Sequence, residues 1–129
     1  MSRKDQPKKD PQSWLLETET PDVRYLALRD LLDRSSDDSD LRTAREAAHH
    51  KGPIATILSN MDKEGFWVEP GPGYNPKYRS TVWAVILLAQ LGAFIEEDKR
   101  IAKACGYLLD YALAEGGQFT TSGAPSGTA

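Results

Sequence analysis

Apolar positions along the chain recur at helical spacing, and no stretch alternates apolar and polar residues as a strand would. The pattern predicts five helices. The first opens at Thr20-Pro21-Asp22: a Thr cap, a Pro in the first helical position, and an acid at the positive helix end. Val23, Leu26, Ala27 and Leu31 form one stripe on it, and Tyr25, Leu28 and Leu32 a second. Asp38 or Ser39 caps the second helix, whose small face of Leu41, Ala44 and Ala48 suits close packing; it runs to about His50. Gly52 stops that helix and Pro53 starts a short third, with Ile54, Ile57, Leu58 and Met61 on one side. The fourth begins near Ser80-Thr81 and ends at Gly92, and its apolar run Val82 to Ala89 predicts burial on every side. The fifth starts in Glu96-Glu97-Asp98, carries Ile101, Ala104, Cys105, Leu108, Leu109 and Ala112 on one face, and ends at Gly116-Gly117. The fold class expected is all-α.

Residues 1–12 combine charge with Pro7 and Pro11 and have nothing to bury, so a disordered polar tail is expected there, with structure starting near Ser13-Trp14. Residues 13–129 then form a single helical-repeat domain. The last ten residues, Thr120 to Ala129, hold neither charge nor a large apolar side chain.

Composition narrows the function classes. The 129 residues carry 16 Lys and Arg against 19 Asp and Glu, a net charge of -3, which argues against a nucleic-acid binder. One cysteine, Cys105, excludes an internal disulfide and any multi-cysteine zinc site. The Val82–Ala89 run is far short of the roughly 20 residues a membrane helix needs. Met1–Asp5 has no apolar stretch, and a cytoplasmic protein is expected.

An internal echo is present. Glu64-Gly65-Phe66-Trp67 follows the third helix, and Gly116-Gly117-Gln118-Phe119 follows the fifth, 52 residues on from Gly65 to Gly117. A helix pair closed by glycine and an aromatic suggests stacked antiparallel hairpins, the aromatic plugging the gap between neighbours.

On these residues, and on Tyr78-Arg79-Ser80-Thr81-Val82-Trp83-Ala84 and Pro21-Asp22-Val23-Arg24-Tyr25, the chain resembles the α/α-toroid superfamily of terpenoid cyclases and protein prenyltransferases, in particular its short bacterial prenyltransferase-like members. The cyclase repeat ends in Gln-x-x-x-Gly-x-Trp; here Met61 stands at the Gln position and Phe119 replaces the second Trp. The resemblance implies a partial toroid of about five helices, incomplete at its C-terminal end. It also implies an isoprenoid-like ligand as partner.

No complete catalytic motif accompanies it. Asp37-Asp38-Ser39-Asp40 has the wrong order for the cyclase acid and reads as a helix cap. Cys105 sits within an apolar stripe and reads as a small hydrophobe, not a zinc ligand. His49 and His50 are adjacent and point about 100° apart on a helix, a poor metal pair. No metal or cofactor is expected, and whether the chain is an enzyme stays open. The candidate ligand-binding residues are Trp67, Tyr74, Tyr78 and Trp83, whose ring faces attract cations, and Arg79, which suits a diphosphate or carboxylate. The competing expectation for the same rings is core and loop packing.

The alternative function is a HEAT-like scaffold for protein–protein interaction, since Pro21-Asp22-Val23-Arg24-Tyr25-Leu26-Ala27 also fits the opening of such a repeat. The 52-residue spacing exceeds the HEAT period of roughly 40–47 and fits the toroid better. An open stack leaves the apolar side of the fourth helix uncovered, so self-association is also expected.

Overall fold

The computed structural model describes residues 10–122. Its helices are α1 (Pro11–Leu15), α2 (Pro21–Leu26), α3 (Ser39–His50), α4 (Pro53–Ser59), α5 (Thr81–Gln90) and α6 (Lys99–Tyr111); α2 runs on as a π-helical turn over Ala27–Leu31. Among the described residues there is no strand, only an isolated antiparallel bridge between Leu113 and Phe119. The protein is all-α, and no helix among these residues is long and apolar enough to cross a membrane. The chain divides between Gly52 and Pro53 into two compact units.

In the first unit, α1 begins at Pro11, ahead of the expected start at Ser13. Asp10 explains the difference: its carboxylate accepts the Ser13 N–H at 2.8 Å, and Pro11 fills the first helical position. The cap lies within the stretch expected to be a polar tail; the rest of that tail, residues 1–9, lies outside the described residues.

Thr20 occupies the cap position of α2, but its side chain makes no capping bond there. Arg24 points back instead, its guanidinium donating to the Leu16 carbonyl at 2.6 Å. Tyr25, Ala27 and Leu28 are buried as expected, whereas Leu31 is exposed. The cause is the π turn, in which the Leu32 N–H donates to the Ala27 carbonyl at 3.0 Å. The wider turn rotates later residues relative to an α-helical stripe and carries Leu31 out of it.

Asp38 caps α3 by accepting the Leu41 N–H at 3.0 Å, and Gly52 beyond its end has φ +117. Leu41 and Ala44 pack with Tyr25 and Leu28, and Leu16, Leu26 and Leu32 close the cluster. His49 is buried with Nδ1 2.7 Å from the Arg45 carbonyl, while His50 is exposed.

The second unit holds α4, α5 and α6. Ile54 and Leu58 are the buried face of α4. Asp98 caps α6, accepting the Arg100 N–H at 2.9 Å, and also pairs with the Arg100 guanidinium at 2.7 Å. Ile101, Ala104 and Tyr107 form the buried face of α6. Leu109, expected on that face, is exposed. Tyr107 takes the inward position because its ring packs on Phe66 (centroids 5.5 Å) and its hydroxyl accepts the Gly71 N–H at 2.7 Å.

α5 departs most from expectation. Only Thr81 and Leu88 are buried on it, and Ile86 and Leu87 are each 44% exposed. Within this unit α4 and α6 pack against it, and Ile86 and Leu87 stay exposed among the described residues. An almost wholly apolar helix therefore keeps an uncovered face.

Candidate functional site

The second unit contains one turn built twice. After α4, the Asp62 N–H donates to the Phe66 carbonyl at 2.7 Å and the Gly65 N–H to the Asp62 carbonyl at 2.9 Å. After α6, the Ala114 N–H donates to the Gln118 carbonyl at 2.6 Å and the Gly117 N–H to the Ala114 carbonyl at 2.9 Å. Each atom of the second pair lies 52 residues beyond its counterpart. Gly65 and Gly117 both have positive φ, +107 and +87, a conformation that glycine adopts without steric cost. The echo in the sequence is thus a repeated backbone structure.

The two copies diverge after the glycine. In the first, Trp67 is buried; its indole N–H donates to the Ile57 carbonyl at 2.8 Å and its backbone N–H to Thr81 Oγ1 at 3.0 Å. The loop to α5 is tied down at the same place. The Val82 N–H donates to the Gly73 carbonyl at 3.0 Å, and the Ser80 hydroxyl reaches that oxygen at 2.6 Å. In the second copy, Phe119 is largely exposed. Its segment turns back instead, the Thr120 N–H donating to the Ala112 carbonyl at 3.0 Å.

This return creates a cleft of about 410 Å³. Val82, Val85 and Ile86 of α5 form one wall, and Leu108 and Ala112 at the end of α6 the other. Tyr74 from the loop and Phe119, Thr120 and Thr121 from the return complete it. The size falls within the range of small-molecule sites, which are mostly apolar with a few placed polar groups. Every residue of the wall is uncharged. Thr120 Oγ1 is buried and has no hydrogen-bond partner among the described residues. A second apolar cleft of about 350 Å³ lies at the other end of α5, where Cys105 meets Leu88, Phe94 and Ile101; Cys105 is half-buried there.

Of the five candidate residues, Tyr74 lines the first cleft. Trp83 stands behind it, donating its indole N–H to the Tyr74 carbonyl at 2.8 Å, with ring centroids 5.4 Å apart. Tyr78 packs against the same indole at 4.8 Å but is exposed and lies outside the wall. Trp67 belongs to the first-copy turn, and Arg79 is exposed and also outside the wall. Tyr74, Tyr78 and Trp83 thus form one aromatic cluster, while Trp67 and Arg79 stand apart from the cleft. Phe119, Thr120 and Thr121 are cleft residues that the sequence pattern does not single out as ligand-binding. The signal available for them is the echo itself, which places the turn at Glu115–Gln118 and a returning segment after it.

Among the described residues, no group of three His, Cys, Asp or Glu side chains is placed to hold a metal ion. No protein-family model, curated protein or solved structure matches this chain.

Proposed function

We propose that residues 53–122 form a non-catalytic helical-repeat module that holds an isoprenoid-like apolar ligand between α5 and α6. The observation that carries this reading is the apolar cleft of about 410 Å³ between those helices. Its wall includes no His, Cys, Asp, Glu or Lys among the described residues, and Tyr74 is its one side chain of a type that serves as a general acid or base. The repeated turn supports the architectural part of the proposal, an open piece of an α/α toroid. In that arrangement each helix pair ends in a glycine and an aromatic.

The ligand reading is tested by thermal unfolding with farnesol or geranylgeraniol. A ligand present at 100 times its Kd stabilises the folded state by about 2.7 kcal/mol. Ile86→Glu, at a partly exposed wall position, is expected to fold and to lose the stabilisation. Unshifted unfolding with both alcohols would remove the reading.

A second reading, a scaffold for a protein partner, has one observation in its favour. Phe119 is exposed where Trp67, its counterpart, is covered by the start of α5. A helix from a partner fits the same gap. No stabilisation by farnesol, together with binding of a partner protein that Phe119→Ala weakens, would favour it.

A further inference from the structure

We infer that the two clefts beside α5 are successive stretches of one groove, and that the groove takes a single elongated hydrocarbon chain, polar end in the first cleft and tail in the second. This rests on the ligand reading above, whose cleft it extends; it sets the ligand's length and course and is indifferent to branching. The register of the walls carries it. The first cleft joins the start of α5 to the end of α6, through Val82 and Ala112; the second joins the end of α5 to the start of α6, through Ala89 and Ile101. On α5, Val82, Val85 and Ala89 are spaced i, i+3 and i+7, and on α6, Ile101, Cys105, Leu108 and Ala112 are spaced i, i+4, i+7 and i+11, so each set shares one side of its helix. Val85 borders both clefts.

Length and polarity name the occupant. From Ile101 to Ala112 the groove runs about 16 Å, at the helical rise of 1.5 Å per residue. An extended chain advances about 1.2 Å per bond, the reach of a polypeptide divided among its three bonds per residue, so about 13 bonds cover that distance. Each cleft, at about 410 and 350 Å³, is of small-molecule size. No residue of either wall is charged among the described residues. The polar side chains Tyr74, Thr120 and Thr121 all belong to the first wall, and the second has only the Cys105 thiol beside its apolar residues. A hydrocarbon tail therefore loses no hydration it needs in the second cleft, while a polar end there would go unsatisfied.

The experiment titrates the full chain with 1-hexanol, 1-octanol, 1-decanol and 1-dodecanol, each below its solubility limit, by calorimetry and methyl-resolved NMR. 1-Dodecanol has about the length of the groove and 1-hexanol about half of it. Affinity should rise about fourfold for each added methylene, up to 1-dodecanol. With 1-dodecanol the methyls of Val82 and Ile101 should shift together, with one midpoint and a stoichiometry of one. Ala89 is exposed in the second wall, and Ala89→Phe, which fills that cleft, should weaken 1-dodecanol towards 1-hexanol. Affinity level beyond 1-hexanol, separate midpoints for Val82 and Ile101, or 1-dodecanol binding untouched in Ala89→Phe would overturn the single groove and leave the ligand reading standing. No binding by any of the alcohols would overturn both and leave the groove to a second copy or another protein.

Discussion

Trp67 and Phe119 hold the same position in two copies of one turn, yet Trp67 is 5% exposed and Phe119 63%. The first copy is closed by the start of α5, where Thr81 Oγ1 accepts the Trp67 backbone N–H. The second is open and forms the rim of the cleft. The stability of the unit should therefore depend very unequally on the two rings. Trp67→Ala is expected to cost about 3–5 kcal/mol, and Phe119→Ala about 0.5 kcal/mol or less. Trp67→Phe, which keeps an aromatic ring but removes the indole N–H bond, leaving the Ile57 carbonyl with the Asn60 N–H at 3.2 Å, should cost about 1 kcal/mol. Urea unfolding followed by circular dichroism measures all three.

The glycines of the repeat should separate in the same way. A Cβ at Gly65 would meet the Lys103 carbonyl oxygen at 3.1 Å and Tyr107 Cβ at 3.3 Å, whereas at Gly117 it meets nothing within 4 Å. Gly117→Ala then carries only the left-handed backbone strain, about 1–2 kcal/mol, and Gly65→Ala distinctly more. Gly73→Ala should be the most damaging, because its Cβ would come within 2.8 Å of Thr81 Cβ in the segment that starts α5. A ranking of unfolding midpoints in the order Gly117→Ala, Gly65→Ala, Gly73→Ala, highest first, is the expected result.

In the first unit, acid should loosen the start of α3. The Asp38 carboxyl is held below its ordinary value of 3.8, chiefly by the Leu41 N–H and further by the Arg34 guanidinium, with desolvation opposing them. The Asp30 carboxyl is likewise lowered, chiefly by its hydrogen bond to Arg29. A carboxylate with a depressed folded-state pKa stabilises the fold above its unfolded pKa, and the stabilisation is lost as pH falls through the folded value. Stability should therefore decline as pH drops below about 4, and Asp38→Asn, which caps without a charge, should flatten that decline. Urea midpoints measured from about pH 6 to pH 3 on both proteins test it.

Uncovered apolar surface on the second unit should drive self-association. Ile86 and Leu87 on α5, with Leu109 and Tyr111 on α6, are all exposed. Apolar patches of this kind find partners. Light scattering at micromolar concentration should show a species larger than a monomer, and Leu87→Glu should reduce it. A sharp monomer peak for the unmodified chain would count against this expectation.

Much of the helical fold is legible in the sequence because its punctuation is local. Pro21, Asp38, Gly52-Pro53 and Asp98 each act within one turn of their own backbone. Asp10-Pro11 is the same kind of signal, obscured by the charges and proline that precede it. What stays hidden depends on distant groups. Leu31 leaves its stripe because of a π turn, and Tyr107 displaces Leu109 from the inward face because Gly71 and Phe66 lie opposite it. α5 reads as buried because its composition is apolar, but how much of a helix is covered depends on how many neighbours surround it. The site is legible only in part. Tyr74 and the glycine turns are visible, whereas Thr120 gains its place from pairing with Ala112 across a turn and from the open space beside it.

Occupation of the α5–α6 cleft by an apolar ligand can be watched residue by residue, using methyl-resolved NMR during a farnesol titration. Val82, Val85, Ile86 and Leu108 line the cleft, while Leu41 lies in the core of the other unit. Saturable shifts are expected at the four cleft residues, with the Leu41 methyls unmoved. Unmoved cleft methyls, or equal shifts at Leu41, would show that the cleft is not the binding site.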